Sequence, residues 1–143
     1  MERTPYFTGE FAAVSVATST MILADTNILI ELFKGNQAAL ADLQQIGPNN
    51  IAISAVTVME LYCGALNKLE LQRIRKHLRA FHLCPIKPEI SDQATVLIER
   101  YAKSHGLLIP DALIAATALF NNYPLLTLNL KDFRYIDGLM LHS

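Results

Sequence analysis

A chain of 143 residues, 52% hydrophobic and 17% charged, carries too much apolar surface to stay disordered and is long enough to bury a core. Its formal net charge of −1 supplies none of the overall basic field expected of a tight DNA reader. No apolar run reaches the roughly 18 residues needed to span a membrane.

Thr4, Pro5, Thr8 and Gly9 lead into a weakly apolar, small-residue stretch over 11–20, which Glu2 and Glu10 bracket. With little basic charge beyond Arg3, this start does not read as a secretion signal. It reads as an N-terminal extension, residues 1–20, lying outside the fold. The remainder, 21–143, reads as one domain.

From Met21 onward, short apolar runs alternate with helical periodicity. Residues 22–24 form a strand ending at Asp25. Residues 26–33 form a helix with Ile28, Leu29, Leu32 and Phe33 on one side, closed by Gly35. A second helix over 37–46 stops at Gly47-Pro48-Asn49-Asn50. A strand at 51–53 is followed by Ser54, an N-cap type, and a helix over 55–67. A more polar helix covers 68–81 and a third strand 83–86. Another helix covers 89–104, followed by Gly106. Pro110 and Asp111 have the residue types that open a helix over 112–120. A fourth strand at 125–128, a turn or short helix at 130–133 and a fifth strand at 139–141 complete the order. Strands separated by helices imply an α/β architecture, a mainly parallel four- to five-stranded sheet covered on both faces, with its site at the carboxyl ends of the strands.

Three acids stand alone in apolar surroundings. Asp25 is the only charged residue between positions 11 and 30, Glu60 the only one between 51 and 66, and Asp111 the only one between 106 and 130. An isolated ionised carboxylate in core costs several kcal/mol or shifts its pKa until it is neutral. A shared divalent cation accounts for all three together. Each also has an ordinary reading. Asp25 can cap the helix at Thr26, Glu60 can pair with a distant arginine such as Arg100, and Asp111 can be a first-turn acid favoured by the helix dipole. Asp132 is a fourth candidate, although Lys131 and Arg134 beside it also suit a surface turn. Thr26 and Asn27 beside Asp25, and Thr127 and Asn129 beyond the fourth strand, can orient ligands or waters. Ala24-Asp25-Thr26-Asn27 contains no glycine, which leaves dinucleotide and P-loop readings unsupported. An acid-based phosphatase needs a second Asp where Asn27 stands.

The pieces together resemble a known family. Asp25-Thr26-Asn27-Ile28-Leu29-Ile30, then Met59-Glu60-Leu61 ahead of Gly64, resemble the PIN domains of VapC-type toxins. So do Ile109-Pro110-Asp111-Ala112-Leu113-Ile114-Ala115-Ala116-Thr117-Ala118 and the closing Thr127, Asn129, Asp132 and Phe133. The resemblance covers Met21 to the chain's end. It implies a three-layer αβα sandwich, a homodimer, and an endoribonuclease using Mg²⁺ or Mn²⁺ held by Asp25, Glu60, Asp111 and Asp132. It also implies inhibition by a cognate antitoxin. The twenty-residue lead is longer than usual for such toxins, and Leu128 stands where relatives often carry Arg. A catalytically silent PIN fold serving as an RNA-binding or protein-interaction module is the alternative.

Lys68, Arg73, Arg75, Lys76 and Arg79 concentrate basic charge in one helix. That helix suits a solvated face, a phosphate track for RNA, or a contact for an antitoxin or second copy. No aromatic stacking platform is evident, and Tyr62 reads as core. The only cysteines, Cys63 and Cys84, lie in apolar context and read as buried thiols of a reducing compartment, hence the cytoplasm. His77, His82, His105 and His142 form no ligand-spaced pair and read as structural or exposed.

Overall fold

The computed structural model describes residues 21–142, so the expected extension over 1–20 lies outside the described residues. Four strands form one sheet in the order β3-β2-β1-β4, with every pairing parallel. They are β1 (Ile22–Ala24), β2 (Ile51–Ser54), β3 (His82–Cys84) and β4 (Leu125–Leu126). The expected fifth strand is reduced to a single parallel bridge between Leu141 and Leu125.

Alternation along the strands sends side chains to two separate cores, one on each face. Leu23, Ala52 and Cys84 point to one face, under α5 (Pro88–His105) and α6 (Ile109–Asn121), with Phe133 and Ile136 closing that core. Ala24, Ile51 and Ile53 point to the other, under α1 (Thr26–Phe33), α2 (Gln37–Ile46) and α4 (Lys68–Leu78). The helix between them, α3 (Ala55–Cys63), contributes Val56 to the first core and Leu61 to the second. This is a three-layer αβα sandwich.

Several boundaries move for identifiable reasons. The helix expected over 55–67 ends at Cys63, because Asn67 serves as N-cap of α4: its side chain accepts from the Glu70 N–H at 2.9 Å, and Glu70 accepts from the Leu66 N–H at 2.9 Å. The helix expected to reach 81 ends at Leu78, and a tight turn then drops Phe81 into the core. β3 begins one residue early and stops before Pro85, which has no N–H for a ladder. α6 starts at Ile109 with Pro110 in its first turn, and α5 ends on Gly106 at φ +72°, a left-handed conformation that glycine adopts without penalty. Cys63 is exposed, a correction to its reading as a buried thiol, while Cys84 is buried as expected; both are free.

Candidate active site

The sheet order reverses at β1. The chain runs outward from β1 through β2 to β3, then returns across the sheet to place β4 on β1's other side. In open parallel sheets, that reversal leaves a crevice beyond the strands' carboxyl ends. Asp25 follows β1 there, and Thr127 follows β4.

Asp25 is 4% exposed, and both its carboxylate oxygens are engaged. As N-cap of α1 it accepts from the Thr26 N–H at 2.7 Å through Oδ1, while the Thr127 hydroxyl donates to Oδ2 at 2.8 Å. The capping role and the buried site are therefore one arrangement. Burial pushes the Asp25 carboxyl above its ordinary range, the hydrogen bonds from Thr127 and Thr26 oppose that, and the charges of Glu60 and Asp132 add to it.

Thr26 extends the network to α3. Its hydroxyl donates to Glu60 Oε1 at 2.7 Å and lies 2.9 Å from the Thr57 hydroxyl. A hydroxyl has one proton. With Thr26's directed to the carboxylate, Thr57 supplies the proton of the second contact. Thr57 was not among the sequence candidates. Its signal was its position three residues before Glu60 on the same helix face, and it is fully buried.

On the β4 side, the Asn27 amide donates to the Thr127 hydroxyl at 3.4 Å, and Asn27 Oδ1 accepts from the Leu128 N–H at 3.3 Å. The Asn129 N–H also donates to that hydroxyl, at 3.0 Å. These bonds turn the chain away after Leu126, which is why β4 stops two residues short of the expected 128. Asn129 enters through its backbone.

Asp111 is half-buried in the first turn of α6, and Asp132 is exposed in the 3-10 turn Leu130–Asp132. Neither carboxylate accepts a hydrogen bond from another described residue. Burial, followed by the charges of Asp25, Asp132 and Glu60, raises the Asp111 carboxyl from 3.8 to about 6. The four acids thus share one electrostatic environment. None of the four is ion-paired with another described residue; the ion pair among the described residues joins Lys34 to Glu31 at 3.5 Å. The pairing of Glu60 with Arg100 does not occur.

Burial is less uniform than the sequence suggested. Asp25 is buried, Asp111 half-buried, and Glu60 exposed, because α3 turns Met59, Glu60 and Cys63 outward despite its apolar composition. Among the described residues, no three acid, imidazole or thiol groups close into a direct cage for a metal. The donor set is nevertheless all oxygen, as a hard cation requires. Mg²⁺ ordinarily takes only one or two carboxylates and keeps several of its waters. An open acidic crevice suits that coordination.

A cavity of about 460 Å³ opens beside Glu60, between α1, α3 and α4, lined among others by Ile30, Phe33, Leu66, Arg73 and Ile74. Of the five basic candidates, Arg73 alone lies on its wall; Lys68, Arg75 and Lys76 are exposed elsewhere on α4, and Arg79 is exposed at its C-cap. Tyr62 is half-buried against the second core.

Comparison with known proteins decides the family. The PIN domain family model matches residues 22–139. This chain belongs to the PIN domain family. Ribonuclease VapC10 of Mycobacterium tuberculosis is 34% identical over 123 residues, covering 83% of this chain and 90% of that protein. Ribonuclease VapC1 of Methanocaldococcus jannaschii is 36% identical over 126 residues, covering 85% and 87%. Among solved structures, a toxin–antitoxin complex from Klebsiella pneumoniae superposes on this PIN domain with a TM-score of 0.71 at 39% identity, covering 83% of this chain and 95% of that one.

Proposed function

We infer that this PIN domain is a metal-dependent endoribonuclease, the toxin of a toxin–antitoxin pair. The observation that carries the reading is Asp25: a buried carboxylate, held through both oxygens at the crevice of the sheet, within electrostatic reach of Glu60, Asp111 and Asp132, and without an ion-pair partner among the described residues. The names of the similar proteins support the substrate and the pairing with an antitoxin.

Asp25, Glu60, Asp111 and Asp132 are the residues that would hold Mg²⁺ or Mn²⁺. The bound cation supplies Lewis-acid polarisation of the scissile phosphate and offsets the charge that builds on its oxygens. The chain's own contribution is positional. Thr26 and Thr127 fix Asp25, Thr26 aims Glu60, and Thr57 backs Thr26, so these two acids are oriented in advance, while Asp111 and Asp132 would have to close on an arriving cation. Asn27 and the Asn129 backbone hold Thr127 in place. Asp111, raised to about 6 by burial and by its acidic neighbours in the metal-free chain, is an acid whose ionised form a bound cation would favour. Arg73, beside Glu60, is the best placed of the basic residues to meet an RNA phosphate or an inhibitor's carboxylate.

The relatives' names and titles support an antitoxin as partner, and the family resemblance supports a homodimer. No helix among the described residues is long and apolar enough to cross a membrane. With two free thiols, the reading places the protein in the cytoplasm. The test is incubation of the purified chain with total cellular RNA in Mg²⁺, in Mn²⁺ and in excess EDTA. Cleavage with either metal that stops in EDTA and is lost in Asp25→Asn is expected. Undiminished cleavage in EDTA refutes the metal mechanism. The alternative is a catalytically silent RNA-binding or protein-interaction module, and binding without cleavage under every condition would establish it.

A further inference from the structure

Close to the acids lies a cluster of three rings that the nuclease reading does not use. His105, the last residue of α5, stacks on Tyr135 with ring centroids 4.1 Å apart and planes 12° apart. Tyr101, one turn earlier on α5, meets both rings edge-on at 5.7 and 5.1 Å. Packing explains the two tyrosines. Both are partly buried against the first core, and the Tyr101 hydroxyl accepts from the Asp137 N–H at 3.2 Å.

Packing does not explain His105. It is exposed, and among the described residues no ring covers its face opposite Tyr135. Its ring is nonetheless held at two sides, by the stack and by the Ser104 hydroxyl 2.7 Å from Nδ1. An exposed flat ring with one face fixed on a second ring and no described ring on the other is a preorganised stacking platform.

Its position is informative. Residues 106–108 alone connect His105 to α6, whose first turn carries Asp111, and Tyr135 lies three residues after Asp132. Burial raises the Tyr135 phenol, and the charges of Asp111 and Asp132 add to it, which puts the stack within electrostatic reach of the acids.

We propose that the open face of His105, backed by Tyr135, is a nucleobase subsite that stacks one unpaired base of the RNA strand flanking the scissile phosphate. The proposal rests on the ribonuclease reading and adds to it a residue that places the substrate. Stacking accepts any base and needs it splayed from a helix, so the subsite selects single-stranded RNA rather than a sequence.

The test uses the full chain carrying Glu60→Gln, to keep RNA intact, and a short single-stranded oligoribonucleotide with 2-aminopurine placed at each position in turn. Quenching at one position is expected. His105→Ala should remove that quench and weaken binding about 5- to 150-fold, with the salt dependence of binding unchanged because no phosphate contact is lost. His105→Phe, which keeps a flat ring and loses the imidazole's hydrogen bonds, should restore both. Affinity and quench unaltered by His105→Ala, or a Phe variant as weak as the Ala variant, overturns the subsite. If the otherwise native chain cleaves RNA equally well with His105→Ala, the subsite fails and the ribonuclease stands. If the native chain neither binds nor cleaves RNA, both fail.

Discussion

Replacing Asp111 by Asn should make the metal-free protein more stable at pH 8, by an amount the structure fixes approximately. The Asp111 carboxyl is raised from 3.8 to about 6 by burial and by three neighbouring acids. A shift of that size corresponds to about 3 kcal/mol between protonated and ionised forms. Asp111 is only half-buried, and solvent screening reduces the figure to about 1–2 kcal/mol. Asn also forgoes the first-turn interaction with the α6 dipole, about 0.3–1 kcal/mol. The net gain is about 0.5–1.5 kcal/mol, or roughly 2–6 °C in Tm. The sign with pH follows from proton binding. Between 3.8 and about 6 the folded chain holds a proton the unfolded chain has released, so this group's contribution falls as pH rises through that window and levels off above it. Urea unfolding in EDTA at pH 4.5 and pH 8 measures the effect. The variant's advantage should be present at pH 8 and largely gone at pH 4.5. An advantage independent of pH, or a variant less stable than wild type at pH 8, would refute the shared-charge account of the site.

Thr127→Val keeps the side-chain shape and removes the donor to Asp25 Oδ2. A charged acceptor so deprived costs about 1.5–3 kcal/mol, read as a lower urea midpoint, and a loss below about 0.5 kcal/mol would mean that the hydrogen bond does not hold the site. Glu60→Gln retains an acceptor for the Thr26 hydroxyl at an exposed position. Its unfolding free energy should stay within about 0.5 kcal/mol of wild type, while RNA cleavage and the Mg²⁺-induced rise in Tm are lost; a collapse in Tm without metal would identify Glu60 as structural. Leu29→Ala empties a fully buried position of the α1 face and should cost about 2–5 kcal/mol by denaturant unfolding, with no change in the Mg²⁺ response of the folded protein.

The layer order was legible because burial imposes it on the sequence. Ile22–Ala24 and Ile51–Ser54 are apolar on both faces, as strands between two helical layers must be. Ser54 announced a helix start through its own side chain, which accepts from the Val56 N–H. Boundaries were lost where a tertiary hydrogen bond outranked local preference. Residues 127–128 have good strand character, yet Thr127 and Leu128 turn away to serve Asp25 and Asn27, a hundred positions earlier. Asp25, Glu60 and Asp111 could be singled out by their lack of charged neighbours, a one-dimensional property; Asp132, beside Lys131 and Arg134, could not. Nor could the burial of the acids be read, since the outward turn of Glu60 depends on which side of α3 meets the sheet. Thr57 was hidden because a buried threonine looks like any β-branched core residue until its partner is known. The His105–Tyr135 stack was hidden for a related reason, being formed by rings thirty positions apart in separate elements.

The bond from Thr127 to Asp25 spans 102 positions, nearly the full described length. At translation rates of about 5–20 residues per second, Asp25 precedes its partner by roughly 5–20 s. For all of that interval β1 lacks its β4 neighbour, and Asp25 lacks one of its two anchors. A nascent chain, or one cut short before Thr127, therefore has no finished crevice around Asp25.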